Sequence, residues 1–131
     1  MRIGDMKNDV DLIRAILVEV KGRVTLDPRA VEVAGYEPLL VARHVERLIE
    51  DGLLDGQVYP PLLGLSAPEA DVRDLTTAGH NFLASLESQD VWAQLKAALK
   101  PGEIAALPVR RLAAIAGDLA ERAIHKKLGL D

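Results

Sequence analysis

The stretch VRDLTTAGHNFL, residues 72–83, changes from the pattern of a strand to that of a helix within a few positions. Its first part predicts a strand from Val72 to Thr76, which pairs antiparallel with an earlier strand. A threonine at the end of this strand can cap the helix that follows, whose apolar face includes Phe82 and Leu83. The chain therefore passes directly from a strand into a helix here.

A helix and a strand precede this junction. Pro38 can open a helix that ends at Gly52. Its apolar stripe consists of Val41, Val45, Leu48 and Ile49. Residues 53–59 then lead into a strand, and the prolines and glycine of residues 60–71 predict a loop, with a strand at 62–65 as an option. The two strands and their loop form an antiparallel hairpin directly after a helix.

The N-terminal part predicts a helix from about Asn8 to Lys21, with apolar residues on one face and Gly22 at its end. Residues 27–35 are ambiguous, because Asp-Pro is a good helix start whereas Val-Glu-Val at 31–33 alternates as a strand does. We favour a strand that ends at Gly35 and keep a helix over 28–34 as the alternative. Only the helix would complete the two-helix unit that reads DNA.

The pattern after the hairpin is helical. Ser88 or Asp90 begins a helix that carries Trp92, and the last helix runs from Pro108 to about Leu128. We expect one domain over residues 1–131. Its parts are an N-terminal extension (1–5), a core (6–87) and a C-terminal helical extension (88–131).

This order of elements is that of a winged helix-turn-helix domain. The step Leu75-Thr76-x-x-Gly79 resembles one in many winged-helix regulators, in which the threonine caps the next helix and the glycine lets it pack closely on the sheet. We therefore expect an α+β, mostly helical fold. It has a winged helix-turn-helix-like core with a small antiparallel wing sheet and a C-terminal helical extension.

Nearly the whole chain, from about Met6 to Leu130, also resembles a bacterial and prophage family known as domain of unknown function 2513. The similar steps include GHNFL at 79–83, DVW at 90–92 and the Leu-Pro that precedes the last helix. Thr77 departs from the family, which often has an aromatic residue there. The resemblance implies a winged-helix-like fold often carried on phage or mobile elements, and it supplies no established activity.

Composition narrows the classes of function. The chain has 131 residues, with 16 Lys and Arg against 20 Asp and Glu and a formal net charge of −4. This charge balance does not predict the broad basic surface of a protein that binds DNA mainly through phosphates. With no cysteine, disulfides, thiolate zinc sites and thiol nucleophiles are excluded. No stretch has the ~20 apolar residues of a membrane span, and no secretory signal is evident, so we expect a cytoplasmic protein without membrane contact.

Helix 37–51 carries the candidate nucleic-acid contacts, because arginines one turn apart can each bond two acceptors of guanine in the major groove. The candidates are Arg43, His44 and Arg47, together with Arg73 in the wing. Alternatively, the arginines pair with neighbouring carboxylates on a solvated face, and His44 is a partly buried structural residue. The carboxylates of the wing would also repel phosphates.

The last helix is the second candidate surface. Its apolar stripe consists of Leu112, Ile115, Ala116, Leu119 and Ala123. This stripe either covers the core of the domain or forms a homodimer or partner interface. The only positive region of note is also here, formed by Arg110, Arg111, Arg122, Lys126 and Lys127.

We expect no metal, no cofactor and no enzymatic activity. No two of His44, His80 and His125 share a helical face by spacing, and no catalytic motif is present. The leading hypothesis is a small transcriptional regulator of phage or mobile-element type that binds double-stranded DNA as a dimer, without covalent chemistry. The alternative is a winged-helix-derived protein-interaction module that binds no DNA and modulates or inhibits a host or phage protein.

Overall fold

The computed structural model describes residues 8–59, 69–99 and 107–130. These residues form five α-helices and one two-stranded antiparallel sheet, so the fold is α+β and mostly helical, as the sequence predicts. In chain order the elements are α1 (Val10–Lys21), α2 (Pro38–Glu50), β1 (Leu54–Tyr59), β2 (Glu69–Leu75), α3 (Thr77–Glu87), α4 (Gln89–Leu99) and α5 (Val109–Lys127). The N-terminal extension at 1–5 and the optional strand at 62–65 lie outside the described residues.

The ends of α1 and α2 follow from local chemistry. The Asp9 carboxylate accepts a hydrogen bond from the Leu12 N–H at 3.1 Å, which satisfies one of the free donors in the first turn of α1. Pro38 occupies the start of α2, where a missing N–H costs nothing. After α2 the chain turns at Gly52, whose φ of 78° is in the left-handed region that glycine adopts without strain.

The hairpin is longer than the sequence predicts, because β2 begins at Glu69 rather than Val72. Leu54 of β1 pairs with Leu75, and Gly56 pairs with Val72. The register shifts between these pairs, so Arg73 is an extra residue in β2, as in a β-bulge.

Residues 28–34 contain no helix, so the helical alternative for this segment is wrong. The expected strand is reduced to one antiparallel bridge, in which Arg29 and Val72 exchange two backbone hydrogen bonds of 3.2 and 2.8 Å. The guanidinium of Arg23 donates to the carbonyls of Ala30 and Val72, and the contact with Ala30 satisfies a backbone acceptor that a helix over 28–34 would have used internally. Between α1 and the hairpin, α2 is therefore the only helix.

The strand-to-helix junction at residues 72–83 folds as the sequence predicts. Thr76 caps α3, accepting a hydrogen bond from the Gly79 N–H at 3.0 Å. Gly79 lies directly against the end of the sheet, since a Cβ atom on it would stand 2.0 Å from the carbonyl oxygen of Leu53. Only glycine permits this close approach of α3 to the strand.

A single hydrophobic cluster receives side chains from every helix and both strands. On α4, Val91 and Leu95 are fully buried, while the Trp92 ring lies beside the Arg14 guanidinium of α1 at 4.6 Å. On α5, Leu112 is fully buried as this helix packs against α3 and α4. The C-terminal helices therefore complete the same core that the hairpin and α2 begin.

Candidate functional site

Arg43 lies on α2 with its guanidinium largely covered. Its Nη1 atom is 3.4 Å from the Glu46 carboxylate, and only 19% of its side chain is exposed. Its Nε atom is buried and has no hydrogen-bond partner among the described residues. This is the ion-paired arrangement that the sequence predicts as the alternative to base reading.

His44 lies in the core, with 0% of its surface exposed. Its Nε2 atom accepts a hydrogen bond from the Asp9 N–H at 2.9 Å, and its Nδ1 atom is 2.9 Å from the Leu40 carbonyl oxygen. The ring therefore carries its proton on Nδ1 and is neutral. Burial lowers the pKa of His44, and the Arg47 charge lowers it further. We withdraw His44 from the candidate DNA contacts, because both ring nitrogens are used inside the protein.

Arg47 is held by Asn8, which lies just before α1. The Arg47 Nη1 atom donates to the Asn8 side-chain oxygen at 3.0 Å, and the Asn8 amide donates to the Leu107 carbonyl at 2.5 Å. Near the end of α2, the Asp51 carboxylate accepts from the backbone N–H of Arg110 at 3.3 Å. The face of α2 that the sequence assigns to DNA is therefore turned towards the starts of α1 and α5.

Arg73 is exposed in the wing, but it is paired. Its guanidinium donates to the Asp55 carboxylate across the hairpin, at 2.5 and 3.0 Å. The hydrogen bond to Asp55 raises the pKa of Arg73. In the described part of the wing, Arg73 is the only cation among several carboxylates.

The apolar stripe of α5 mainly covers the core of its own chain. Leu112 and Ala116 are 0% exposed, and Ile115, Leu119 and Ala123 are partly buried. We withdraw Leu112 and Ala116 from the candidate dimer interface, because no atom of either is available to a second copy. The basic residues Arg110, Arg111, Arg122, Lys126 and Lys127 are all exposed.

The opposite side of α2 borders a groove that is not predicted from the sequence. This groove encloses about 930 Å³, a volume typical of ligand sites. Segment 30–34 and residues 69–71 of β2 line it, together with Tyr36 and an α2 surface formed by Pro38, Leu39, Val41, Ala42 and Val45. We call it the α2 groove. Two signals in the sequence point to it: the Val-Glu-Val alternation at 31–33, and Leu39, which lies on α2 outside the buried stripe and is 49% exposed.

The α2 groove is apolar along α2 and negatively charged at its margins. Glu32, Glu69 and Asp71 line it, and none of its described lining residues is Lys, Arg or His. None of the three carboxylates forms an ion pair with a described residue. Partial desolvation raises the pKa of Tyr36, and the charges of Asp9 and Asp11 raise it further. The groove therefore favours a cationic occupant with apolar side chains.

The described residues were compared with the requirements of a metal site and of a membrane-spanning helix. They contain no group of three or more His, Asp or Glu side chains placed to hold a metal ion. None of their helices is both long and apolar enough to cross a membrane. His80 is exposed on α3, and His125 lies 3.9 Å from Glu121 on α5.

Comparison with known proteins identifies a family but no characterised relative. Neither the curated proteins nor the solved structures include a significant match. A family model described as "Hypothetical protein (DUF2513)" matches residues 7–104, which include all the elements from α1 to α4. The match also covers the α2 groove and the Asn8–Arg47 contact. The chain therefore belongs to the family of domain of unknown function 2513.

Proposed function

We propose that this protein is a protein-interaction module that binds a cationic, partly apolar segment of another protein in the α2 groove. The observation that carries the proposal is an apolar α2 surface that lies beside three carboxylates, Glu32, Glu69 and Asp71, none of which forms an ion pair with a described residue. Covering an apolar surface lowers the free energy, and carboxylates without a cationic neighbour favour a positively charged partner.

The arrangement of the cations supports the same proposal. Arg43, Arg47 and Arg73 each bond to a carboxylate or amide of the same chain, so DNA binding would have to break these contacts first. The carboxylates of the wing would meet phosphates with like charge. A groove that attracts cations and repels phosphates suits a protein partner better than a nucleic acid.

Site-specific photo-crosslinking tests this proposal. Leu39 at the groove and Val18 on α1 are both apolar, helical and about half exposed, so each can carry a benzophenone amino acid with little effect on folding. We expect the Leu39 position to capture a defined partner that mass spectrometry identifies, and the Val18 position not to capture it. Ala42→Arg places a cation and added bulk in the groove and is expected to abolish capture, whereas Ala114→Arg on the exposed side of α5 leaves it intact.

Three results together establish a groove partner: capture at Leu39, its loss in Ala42→Arg, and direct binding of the purified partner to the wild-type chain. Capture that is equal at both positions, or that Ala42→Arg does not change, contradicts the proposal. Far-UV circular dichroism of each variant establishes that it is folded.

A second candidate function is the DNA-binding regulator of phage or mobile-element type. The observation in its favour is the group of exposed cations on α5, which begins with Arg110 and Arg111. Mobility shift with DNA from around the protein's own gene, over a series of salt concentrations, tests it. Loss of a sequence-preferring shift in Arg43→Ala/Arg47→Ala would assign the contact to α2, and loss in Arg110→Ala/Arg111→Ala would assign it to α5. No shift at low salt contradicts DNA binding.

A further inference from the structure

We propose that the occupant of the α2 groove binds as an added β-strand, between the outer edge of β2 and segment 30–34. This inference rests on the proposed interaction function and specifies how the partner is held. Strand addition supplies affinity through main-chain hydrogen bonds, and alternate side chains of the added strand supply specificity.

The edge of β2 offers the hydrogen-bonding groups. Val72 exchanges two backbone hydrogen bonds with Arg29, so the N–H and C=O of Val72 point away from β1. The strand pairs regularly with β1 from Val72 back to Glu69, and backbone groups alternate between the two edges of a strand. The N–H and C=O of Ala70 therefore point to the same outer edge, where no described residue pairs with them.

Segment 30–34 has the pattern of a strand without the pairing of one. Val31 is buried, Glu32 is exposed and Val33 is partly buried, which is the alternation of a strand that covers a core on one face. Yet its ladder to β2 stops at the Arg29–Val72 bridge. Beyond the bridge, the segment and β2 both line the α2 groove. A strand placed there would continue the sheet that the bridge begins.

Alternation also determines the chemistry of the occupant. Ala70 shares a face of β2 with the buried Val72, whereas Glu69 and Asp71 lie on the opposite, outer face. Glu32 is likewise on the outer side of its segment. An added strand would therefore direct every second side chain onto the apolar α2 surface and the others towards carboxylates. The partner segment is extended and alternates apolar residues with lysine or arginine.

A set of matched peptides tests this mode of binding. The probe is a fluorescent peptide of about seven residues, the length of an ordinary strand, that alternates lysine and valine. One control replaces lysine with glutamate, and a second carries N-methyl groups on every second backbone amide, with side chains and charge unchanged. Fluorescence anisotropy measures affinity, and NMR-detected hydrogen exchange measures protection of the Ala70 amide.

We expect the lysine–valine peptide to bind. N-methylation should weaken its affinity roughly tenfold or more, because one edge of the peptide strand loses its N–H donors. The glutamate peptide is expected to bind worse still. In the protein, Glu69→Lys/Asp71→Lys is expected to weaken binding, whereas Asp118→Lys on the exposed side of α5 is not. The Ala70 amide should gain protection when the peptide is bound.

Different failures have different meanings. Binding that Ala42→Arg abolishes, but that N-methylation does not affect and that leaves the Ala70 amide unprotected, overturns strand addition and leaves the groove as a docking site. Absence of peptide binding to the folded protein also overturns strand addition. In that case photo-crosslinking at Leu39 decides separately whether the proposed function stands.

Discussion

At the scale of single residues, two glycines of this chain serve different purposes. Gly79 lies where α3 meets the sheet, and a Cβ atom there would stand 2.0 Å from the Leu53 carbonyl oxygen. Gly117 lies within α5, and a Cβ atom there would meet nothing within 4 Å. The first is required by packing, whereas the second only lowers the helix propensity of α5.

Alanine at these two positions should change stability in opposite directions. We expect Gly79→Ala to lower the free energy of unfolding by about 1–3 kcal/mol, because backbone must move to admit the methyl group. Gly117→Ala should raise it by about 0.5–1 kcal/mol, because alanine favours the helix. Urea denaturation followed by circular dichroism measures both. If Gly79→Ala leaves the free energy of unfolding unchanged, α3 packs less closely on the sheet than described.

Residue types alone do not say which way a helix faces. The spacing of Arg43 and Arg47 correctly predicts that they lie one turn apart on α2. It does not predict whether that face of the helix is exposed to solvent. Asn8 and Glu46 decide the matter, because they bond these arginines within the chain. Asn8 could be predicted only as a possible cap for α1, since its partners Arg47 and Leu107 are 39 and 99 positions away.

At the scale of elements, His44 connects α2 to the start of α1. The neutral ring accepts from the Asp9 N–H, and a protonated ring would place two donors against each other there. Burial accordingly lowers the pKa of His44 in the folded protein relative to the unfolded chain. The unfolded state therefore binds the proton more readily, and acidification favours unfolding.

The hydrogen bond between the Asp9 N–H and the His44 ring should make the free energy of unfolding depend on pH. As the pH falls below about 6.5, the unfolded chain takes up the proton first, and the free energy of unfolding should decrease by up to about 1.4 kcal/mol per pH unit. The decrease ends below the lowered pKa, where both states are protonated. Denaturation of the wild type and His44→Gln between about pH 5 and 7 isolates this contribution, since all other titrating groups are common to the two proteins.

NMR titration of the His44 ring gives an independent measurement that needs no variant. A ring pKa at or above about 6.5 would contradict the structure, as would a stability difference between the two proteins that does not change with pH.

At the scale of the whole molecule, α5 joins the core that α1 to α4 build. Leu112 is 0% exposed within the shared hydrophobic cluster, while Leu128, just after α5, is 66% exposed. The only tryptophan, Trp92, lies on α4 against α1 and so reports on a different part of the same cluster.

We expect the chain to unfold in one transition that includes α5. Leu112→Ala should lower the free energy of unfolding by about 2–5 kcal/mol, because it leaves a cavity in the core. Leu128→Ala should change it by less than about 0.5 kcal/mol. Far-UV circular dichroism and Trp92 fluorescence should give coincident urea transitions for each protein. If Leu112→Ala shifts the circular dichroism transition and leaves the fluorescence transition in place, α5 unfolds separately.

The sequence by itself determined the local elements of this protein. Apolar periodicity, the cap at Thr76 and the stop at Gly52 act through residues close in the chain, and they correctly place all five helices and the hairpin. The family also follows from the sequence, through steps such as GHNFL at 79–83. Local signals are sufficient here because helix periodicity and caps involve neighbours only three or four positions away.

Only the tertiary structure decided which surfaces are available. The burial of His44, the use of Arg47 by Asn8 and the covering of Leu112 all depend on contacts between distant parts of the chain. The same is true of the α2 groove, which segment 30–34, Tyr36, one side of α2 and residues 69–71 form together. The Val-Glu-Val pattern at 31–33 predicted a strand, but whether a strand is paired depends on its neighbours. Here the pairing of this segment with β2 is limited to the Arg29–Val72 bridge. Local sequence could not predict this limit, because hydrogen bonding along a sheet edge is a non-local property.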